Sequence, residues 1–311
     1  TMIRRGKAVV TAKSKKAPIK EKLFIGTLGV NCIEYTKRCL QTLSTSCAEV
    51  SFLYIDNGSS DETIEELDKW VNSSPDVQHF EKMFNGRNAG VAFGWNQIID
   101  KALEWGATKI LICNNDIAFG PHTVDGMCEA YDRLRKEIPE TVMVTATNHT
   151  RNLGDIGNVK QEWSHHEHPD FACFMLTPES IDRVGMFCED YDPAFFEDND
   201  MHWRILLMGY KAFGTNWAPF GHMVSQTRFN NPNIISHYRF NVNKTKFCRN
   251  MFTYGPEQEV AAERYDAWIK DNPGIKHPKH TEVLDFCRQN GMISNELERY
   301  LRDVAIINSP D

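Results

Sequence analysis

From Leu23 to Asp116 the chain repeats one pattern: a short apolar run, a cluster of small polar residues, then apolar positions at helical spacing. Leu23-Phe24-Ile25-Gly26-Thr27 reads as a buried first strand, with a helix following over about 33–45. The second run, Val50 to Ile55, stops at Asp56-Asn57-Gly58-Ser59-Ser60-Asp61. Ser59 with Glu62 has the capping-box spacing, and Ile64, Leu67 and Val71 continue at helical intervals. Phe80–Phe84 reads as a short strand before the loop Asn85–Gly90, and a helix is expected over about 92–105. Lys109–Cys113 is then a strand that runs into Asn114-Asn115-Asp116. Strands alternating with helices specify an α/β fold, a mostly parallel sheet with helices on both faces. Such sheets bind ligands beyond the carboxyl ends of their strands. The clusters at 56–61 and 114–116 both fall at such ends, which places them in one site.

Further along, Phe171–Leu176 reads as a strand leading through Pro178-Glu179-Ser180 into a short helix that ends at Gly185. In the segment Tyr191 to Gly209, Met201, Ile205 and Met208 form a helical apolar face, and Gly209 stops it. Three divisions follow: a flexible basic tail over 1–22, one α/β domain over 23–227, and a mostly helical extension over 228–311.

A formal charge of −7 argues against a body built to coat nucleic acid. No apolar run approaches the ~18 residues needed to cross a bilayer, and no signal peptide opens the chain. The nine cysteines are scattered without a CxxC pair, which reads as free thiols in a reducing cytoplasm. The sequon matches at Asn148 and Asn243 then read as chance.

Four clusters can carry chemistry. A carboxylate at a strand end, as at Asp56, can accept hydrogen bonds from a nucleobase or ribose; Gly58 and Ser59 are explained equally by a turn and a cap. Small residues at Gly90, Ala92 and Gly94 allow close backbone approach, with Asn88 and Asn96 as polar contacts, or simply punctuate a helix start. Asn114-Asn115-Asp116 is either a polar turn or a strand-end oxygen ligand for a hard divalent cation. Glu197-Asp198-Asn199-Asp200 sits where a helix N-terminus relieves acid–acid repulsion, and one carboxylate there could act as a general base. His165-His166-Glu167-His168 suggests zinc, but consecutive positions on a regular element do not converge on one ion.

Read in order, these clusters resemble the GT-A fold, specifically family 2 glycosyltransferases. Asp56 to Asp61 resembles the family's first nucleotide-binding loop, and Asn88-Ala89-Gly90-Val91-Ala92 with Asn96 its second. Asn114-Asn115-Asp116 stands at the Asp-x-Asp metal motif. Gly185-Met186-Phe187, Phe195 to Asp200, Arg204 and Gly209-Tyr210 resemble the acceptor-side block, and Gly221 to Ser225 the late histidine motif. The likeness covers about residues 23–227.

The resemblance implies an inverting, non-processive enzyme that uses a nucleotide-diphosphate donor, a UDP- or dTDP-sugar, and Mn²⁺ or Mg²⁺. It assigns the metal to Asp116 and His222. Donor contacts fall to Thr27, Asp56, Asn57, Asp61, Asn88, Gly90, Asn96, Asn114 and Asn115. The general base is Asp198, with Glu197 as the alternative, and Phe196, Asp200 and Arg204 lie on the acceptor side. Asn114 departs from the metal motif by replacing its first acid. The processive Gln-x-x-Arg-Trp signature is absent. Two other enzyme classes fit less well, since Gly26-Thr27-Leu28-Gly29 is not a dinucleotide fingerprint and no basic Gly-rich loop follows Leu28. A nucleotide-sugar-binding pseudoenzyme stays open. The acceptor stays open among a surface polysaccharide or other glycan, a lipid-linked glycan, a protein and a modified nucleic-acid base; His237-Tyr238-Arg239-Phe240 through Lys244, Lys246 and Arg249 suits nucleic acid, and equally a diphosphate clamp or a membrane-surface contact.

Overall fold

The computed structural model of the chain describes residues 21–73, 79–150, 155–207 and 209–223, together with 242–243 and 246–247. The expectations for the tail over 1–20 and for most of the stretch after 228 lie outside the described residues.

Strands and helices alternate through the first half: β1 (Leu23–Gly29), α1 (Ile33–Thr42), β2 (Val50–Asp56), α2 (Thr63–Ser73), β3 (His79–Phe84), α3 (Val91–Trp105) and β4 (Lys109–Asn114). β5 (Ile117–Phe119), α4 (Thr123–Glu137), β6 (Thr141–Thr150) and the two-residue β7 (His165–His166) follow. β8 (Cys173–Leu176), α5 (Pro178–Val184), α6 (Glu197–Leu207) and β9 (Lys211–His222) complete the order. One nine-stranded sheet results, ordered β3-β2-β1-β4-β8-β6-β9-β5, with β7 on β9.

β1 pairs in parallel with β2 and β4, and β2 with β3. β2 is buried at every position because helices cover both faces of this part of the sheet. Alternate residues enter opposite layers. Ile25, Phe52, Leu111 and Cys113 pack with Cys39, Leu67 and Met127 of α1, α2 and α4. Phe24, Leu53, Ile55 and Ile112 pack with Trp95 and Ile98 of α3 and with Met201 and Ile205 of α6. α3 lies tightly on β1, since a Cβ at Gly94 would come within 2.6 Å of Leu28 Cδ1 and one at Gly26 within 2.1 Å of Ile98 Cγ2.

Beyond β4 the sheet is mixed. β8 runs antiparallel to β4 and β6, while β5 and β7 run antiparallel to β9. A parallel return needs a long crossover, usually helical, and the described residues between β6 and β8 carry no α-helix. The capping box expected at Ser59 is also corrected. α2 starts four residues later, at Thr63, whose N–H donates to Asp61 Oδ1 at 3.0 Å. Ser59 Oγ instead accepts the Asn31 N–H at 2.7 Å, tying the loop after β2 to the loop after β1. No helix among the described residues is long and apolar enough to cross a membrane.

Candidate active site

β2 and β3 build out from one side of β1 and β4 lies on the other, so the carboxyl ends of β1 and β4 flank a topological switch point. A cavity of about 310 Å³ opens there. Leu28, Gly29 and Asn114 supply its strand ends, Val91 and Trp95 its α3 side, and the loop before α6 its far wall.

Asp116 and His222 meet at one corner although 106 residues separate them. The ladder between β5 and β9 pairs Ile117 with His222, and Met223 N–H donates to the Asp116 carbonyl at 3.2 Å. That register leaves His222 Nε2 3.2 Å from Asp116 Oδ1, both largely buried.

Glu197 and Asp198 open α6 at another wall. The chain reaches them through Phe195 and Phe196, at φ 75° and 76°. A left-handed backbone is strained for bulky residues and persists only where neighbours hold it. Asn243 Nδ2 donates to the Ala194 carbonyl at 2.9 Å and to the Asp192 carbonyl at 3.3 Å. Phe196 stacks on Phe247 with ring centroids 5.6 Å apart, and Val91 N–H donates to the Pro193 carbonyl at 2.8 Å.

Burial, and then the charge of Asp198, pushes the Glu197 carboxyl well above the ordinary glutamate range. Burial raises Asp198 as well, opposed by the Asn199 N–H that donates to its Oδ1 at 2.8 Å. Two adjacent buried carboxyls do not both ionise readily. Glu197 holds the proton more tightly, which leaves Asp198 as the carboxylate.

This has a consequence for stability. Folded Glu197 binds its proton above pH 4.5, its ordinary pKa, where the unfolded chain releases it. The folded state then carries more protons, so stability falls as pH rises from about 4.5 toward the folded pKa. Glu197→Gln is expected to melt with wild type at pH 4 and above it at pH 7. A difference between the two melting curves that does not change with pH would contradict the assignment.

Asp170 is the cavity acid that sequence reasoning missed. β8 returns antiparallel to β4, with Asn114 N–H donating to the Ala172 carbonyl at 2.9 Å, and this sets Asp170 over the end of β4. Burial raises its carboxyl, opposed by the Ala172 N–H at 2.9 Å and by His222. The available signal was an acid directly before an apolar strand, but only the strand's direction turns that acid toward Asp116. Among the described residues the cavity therefore carries four carboxyl groups (Asp116, Asp170, Glu197 and Asp198), one imidazole (His222), and no lysine or arginine.

The chain superposes on a mannosyltransferase from Pyrobaculum calidifontis in complex with GDP-Man and Mn²⁺ with a TM-score of 0.53 and 14% identity, over 94% of this chain and 88% of that one. GalNAc-T7 with UDP, GalNAc and Mn²⁺ gives a TM-score of 0.57 at 10% identity, over 93% of this chain and 57% of that one. For S. aureus TarS 1-349 in complex with UDP the TM-score is 0.54 at 13% identity, over 92% and 88%. The chain has the GT-A fold of these glycosyltransferases. A galactofuranosyl glycosyltransferase of Leishmania donovani is 40% identical over 57 residues, so the match spans 18% of this chain and 13% of that protein. No protein-family model matches the chain.

Within this GT-A fold the cavity brings together Asn57, Asn88, Asn114, Asn115, Asp116, Glu197, Asp198 and His222. Asn57 and Asn88 brace one another, Asn57 Nδ2 donating to Asn88 Oδ1 at 2.9 Å. Gly90 stands at the start of α3 with φ 94°, close to Asp192 and Pro193, a conformation that suits glycine. Asn115 Nδ2 donates to Thr36 Oγ1 at 3.0 Å. Asp56 lies at the end of β2, outside the lining; its Oδ2 accepts the Gly58 and Ser59 N–H groups at 3.0 and 2.9 Å, and its buried Oδ1 has no partner.

Six further residues expected at the site lie outside the cavity lining. Thr27 donates to the Cys113 carbonyl at 2.8 Å inside the sheet. Asn96 clamps the Phe187 backbone from both sides, at 2.9 Å each way. Asp61 holds the starts of α1 and α2 through Ile33 and Thr63. Phe196 is core. Asp200 and Arg204 pair at 2.9 Å, with Tyr191 on Asp200 at 3.0 Å and the Met186 carbonyl on Arg204 at 2.7 Å. They fix the approach to α6. His166 contacts Thr147 at 3.2 Å and His165 lies edge-on to Phe213, away from the cavity lining. Among the described residues no three His, Cys, Asp or Glu side chains are placed to hold a metal by themselves.

Proposed function

We propose that the chain is a metal-dependent, inverting, non-processive glycosyltransferase that moves a sugar from a UDP- or dTDP-sugar to an acceptor hydroxyl on a glycan or lipid-linked glycan. One observation carries this reading: a cavity at the switch point of a GT-A sheet, lined by four carboxyls and one imidazole with no lysine or arginine among the described residues. A diphosphate would be repelled by the ionised carboxylates described there unless a cation accompanied it. Asp116 Oδ1 and His222 Nε2, 3.2 Å apart and buried, fit a divalent ion whose remaining ligands are diphosphate oxygens. The imidazole favours Mn²⁺ over Mg²⁺. Such an ion, when bound, neutralises charge that develops on the leaving nucleoside diphosphate. The complexes of the P. calidifontis mannosyltransferase with GDP-Man and Mn²⁺ and of GalNAc-T7 with UDP and Mn²⁺ support the same pairing.

The chain's own groups do the rest. Asp56, with its unpaired buried Oδ1, offers an acceptor to the nucleoside. Asn57, Asn88 and Asn115 hold the polar wall of the donor site. Asp198 takes the acceptor hydroxyl's proton as that oxygen attacks the anomeric carbon, and a single displacement inverts it. Glu197 keeps its proton beside it.

UDP or dTDP with Mn²⁺ is expected to raise the melting temperature. At a hundred times Kd the linkage amounts to about 2.7 kcal/mol, which is roughly 5–10 °C for a domain of this size. Asp56→Ala should erase most of that rise, and an undiminished shift in the variant would move the nucleoside elsewhere. Transfer itself is read by mass spectrometry with candidate acceptors. A protein that binds the nucleotide sugar but neither transfers nor hydrolyses it is a binding protein and not an enzyme.

A further inference from the structure

Two polar atoms among the cavity residues are buried without a hydrogen-bond partner, and they belong to Trp95 and Glu197. Trp95 is 3% exposed and its Nε1–H donates to nothing; Glu197 is 6% exposed and its Oε2 is likewise unpaired. Buried polar groups are ordinarily paired, so an orphan in a cavity wall marks a place for a ligand atom. Neither group is free to find another partner. The Trp95 ring is gripped edge-on by Phe174 at 5.1 Å and Phe187 at 4.9 Å, and Phe187 is itself held by the Asn96 clamp. Glu197 is set by the strained Phe195-Phe196 turn and its Asn243 brace.

We propose that Trp95 and Glu197 each meet a hydroxyl of the transferred sugar, and that this sugar is neutral. The inference rests on the donor site proposed above. An indole N–H only donates, so its partner must present an acceptor. Glu197 Oε2 is the second unpaired atom in the wall of the same cavity; a protonated carboxyl both donates and accepts, and a hydroxyl is the small uncharged group that meets either atom. Val91, Phe171 and Phe195 give the same cavity apolar surface for the C–H face of a sugar ring. A uronic acid would bring its carboxylate among Asp170, Glu197 and Asp198, which disfavours it. A donor deoxygenated at a recognised position would leave a protein atom unpaired.

Titration calorimetry with Mn²⁺ tests this, using UDP and dTDP alone and their glucose, galactose, rhamnose and glucuronate conjugates. Trp95→Phe keeps an aromatic ring and removes the N–H together with the five-membered half of the indole, and Trp95→Leu, which also lacks the N–H, is the control for lost bulk. Measured well below its own melting temperature, Trp95→Phe is expected to weaken the best-bound neutral nucleotide sugar about tenfold and to leave the bare diphosphate unaffected. Glu197→Gln should act in the same direction. The glucuronate should bind no better than its diphosphate. Equal weakening of sugar conjugate and bare diphosphate in Trp95→Phe would make the indole structural and overturn the proposal. So would unchanged binding of the conjugate, or no conjugate binding more tightly than its diphosphate. Failure of every nucleotide to bind wild type would instead remove the donor-site reading beneath it.

Discussion

Asp198→Asn is expected to slow sugar transfer by about 10²–10⁴-fold, the usual cost of losing a general base, while the donor binds as before. The expectation comes from the division of protons in the pair that opens α6. Glu197 is the more deeply buried and holds its proton well above the ordinary range, so it is a poor base near neutrality. Asp198 is raised less and lines the same cavity. Because its pKa lies above the ordinary 3.8, the acid limb of the rate profile should sit at higher pH than a solvated aspartate would give. Single-turnover rates across pH, with donor Kd measured beside them, separate chemistry from binding. A dead Glu197→Gln beside a near-normal Asp198→Asn would exchange the two roles. Wild-type rates in both would reduce the acidic run to a helix start.

Asp116→Ala should abolish the metal-dependent part of donor binding. A metal's contribution of several kcal/mol corresponds to a loss of at least about a hundredfold in affinity. His222→Ala should cost less, since it leaves the carboxylate in place at the buried corner where the two side chains meet. Titrating the nucleotide with Mn²⁺ and again with chelator decides the matter. Equal binding in the two would show that diphosphate charge is met in some other way.

The parallel half of the fold was legible because its strands are continuous apolar runs that end in turn residues, and both features are local. Asn57, Asn88, Asn115 and Asp116 could be found at those ends for the same reason. What local pattern does not carry is the destination of a side chain. Asn96, Asp200 and Arg204 have polar groups suited to a ligand, yet tertiary packing gave them backbone carbonyls and one another as partners. Asp170 was missed for the converse reason. Its place depends on β8 running antiparallel to β4, a pairing between segments about sixty residues apart that no window of sequence encodes. The pairing of Asp116 with His222 was inferred from resemblance, and the register of β5 on β9 supplies its physical cause.

The brace that Asn243 places on the loop ahead of Glu197 also bears on how the protein is made. Its amide reaches back across 49 residues to the Ala194 carbonyl and 51 to that of Asp192. A ribosome adding about 5–20 residues per second needs several seconds to produce that span. Between the synthesis of His222 and that of Asn243, 21 residues later, the sheet, α3 and both halves of the Asp116 and His222 corner have been made, but the turn at Phe195-Phe196 still lacks its Asn243 and Phe247 contacts. The nascent chain can therefore present a formed nucleotide pocket before it can position the carboxylate that would use it. Capture of the nucleotide and competence for transfer would then arise at different lengths of the growing polypeptide.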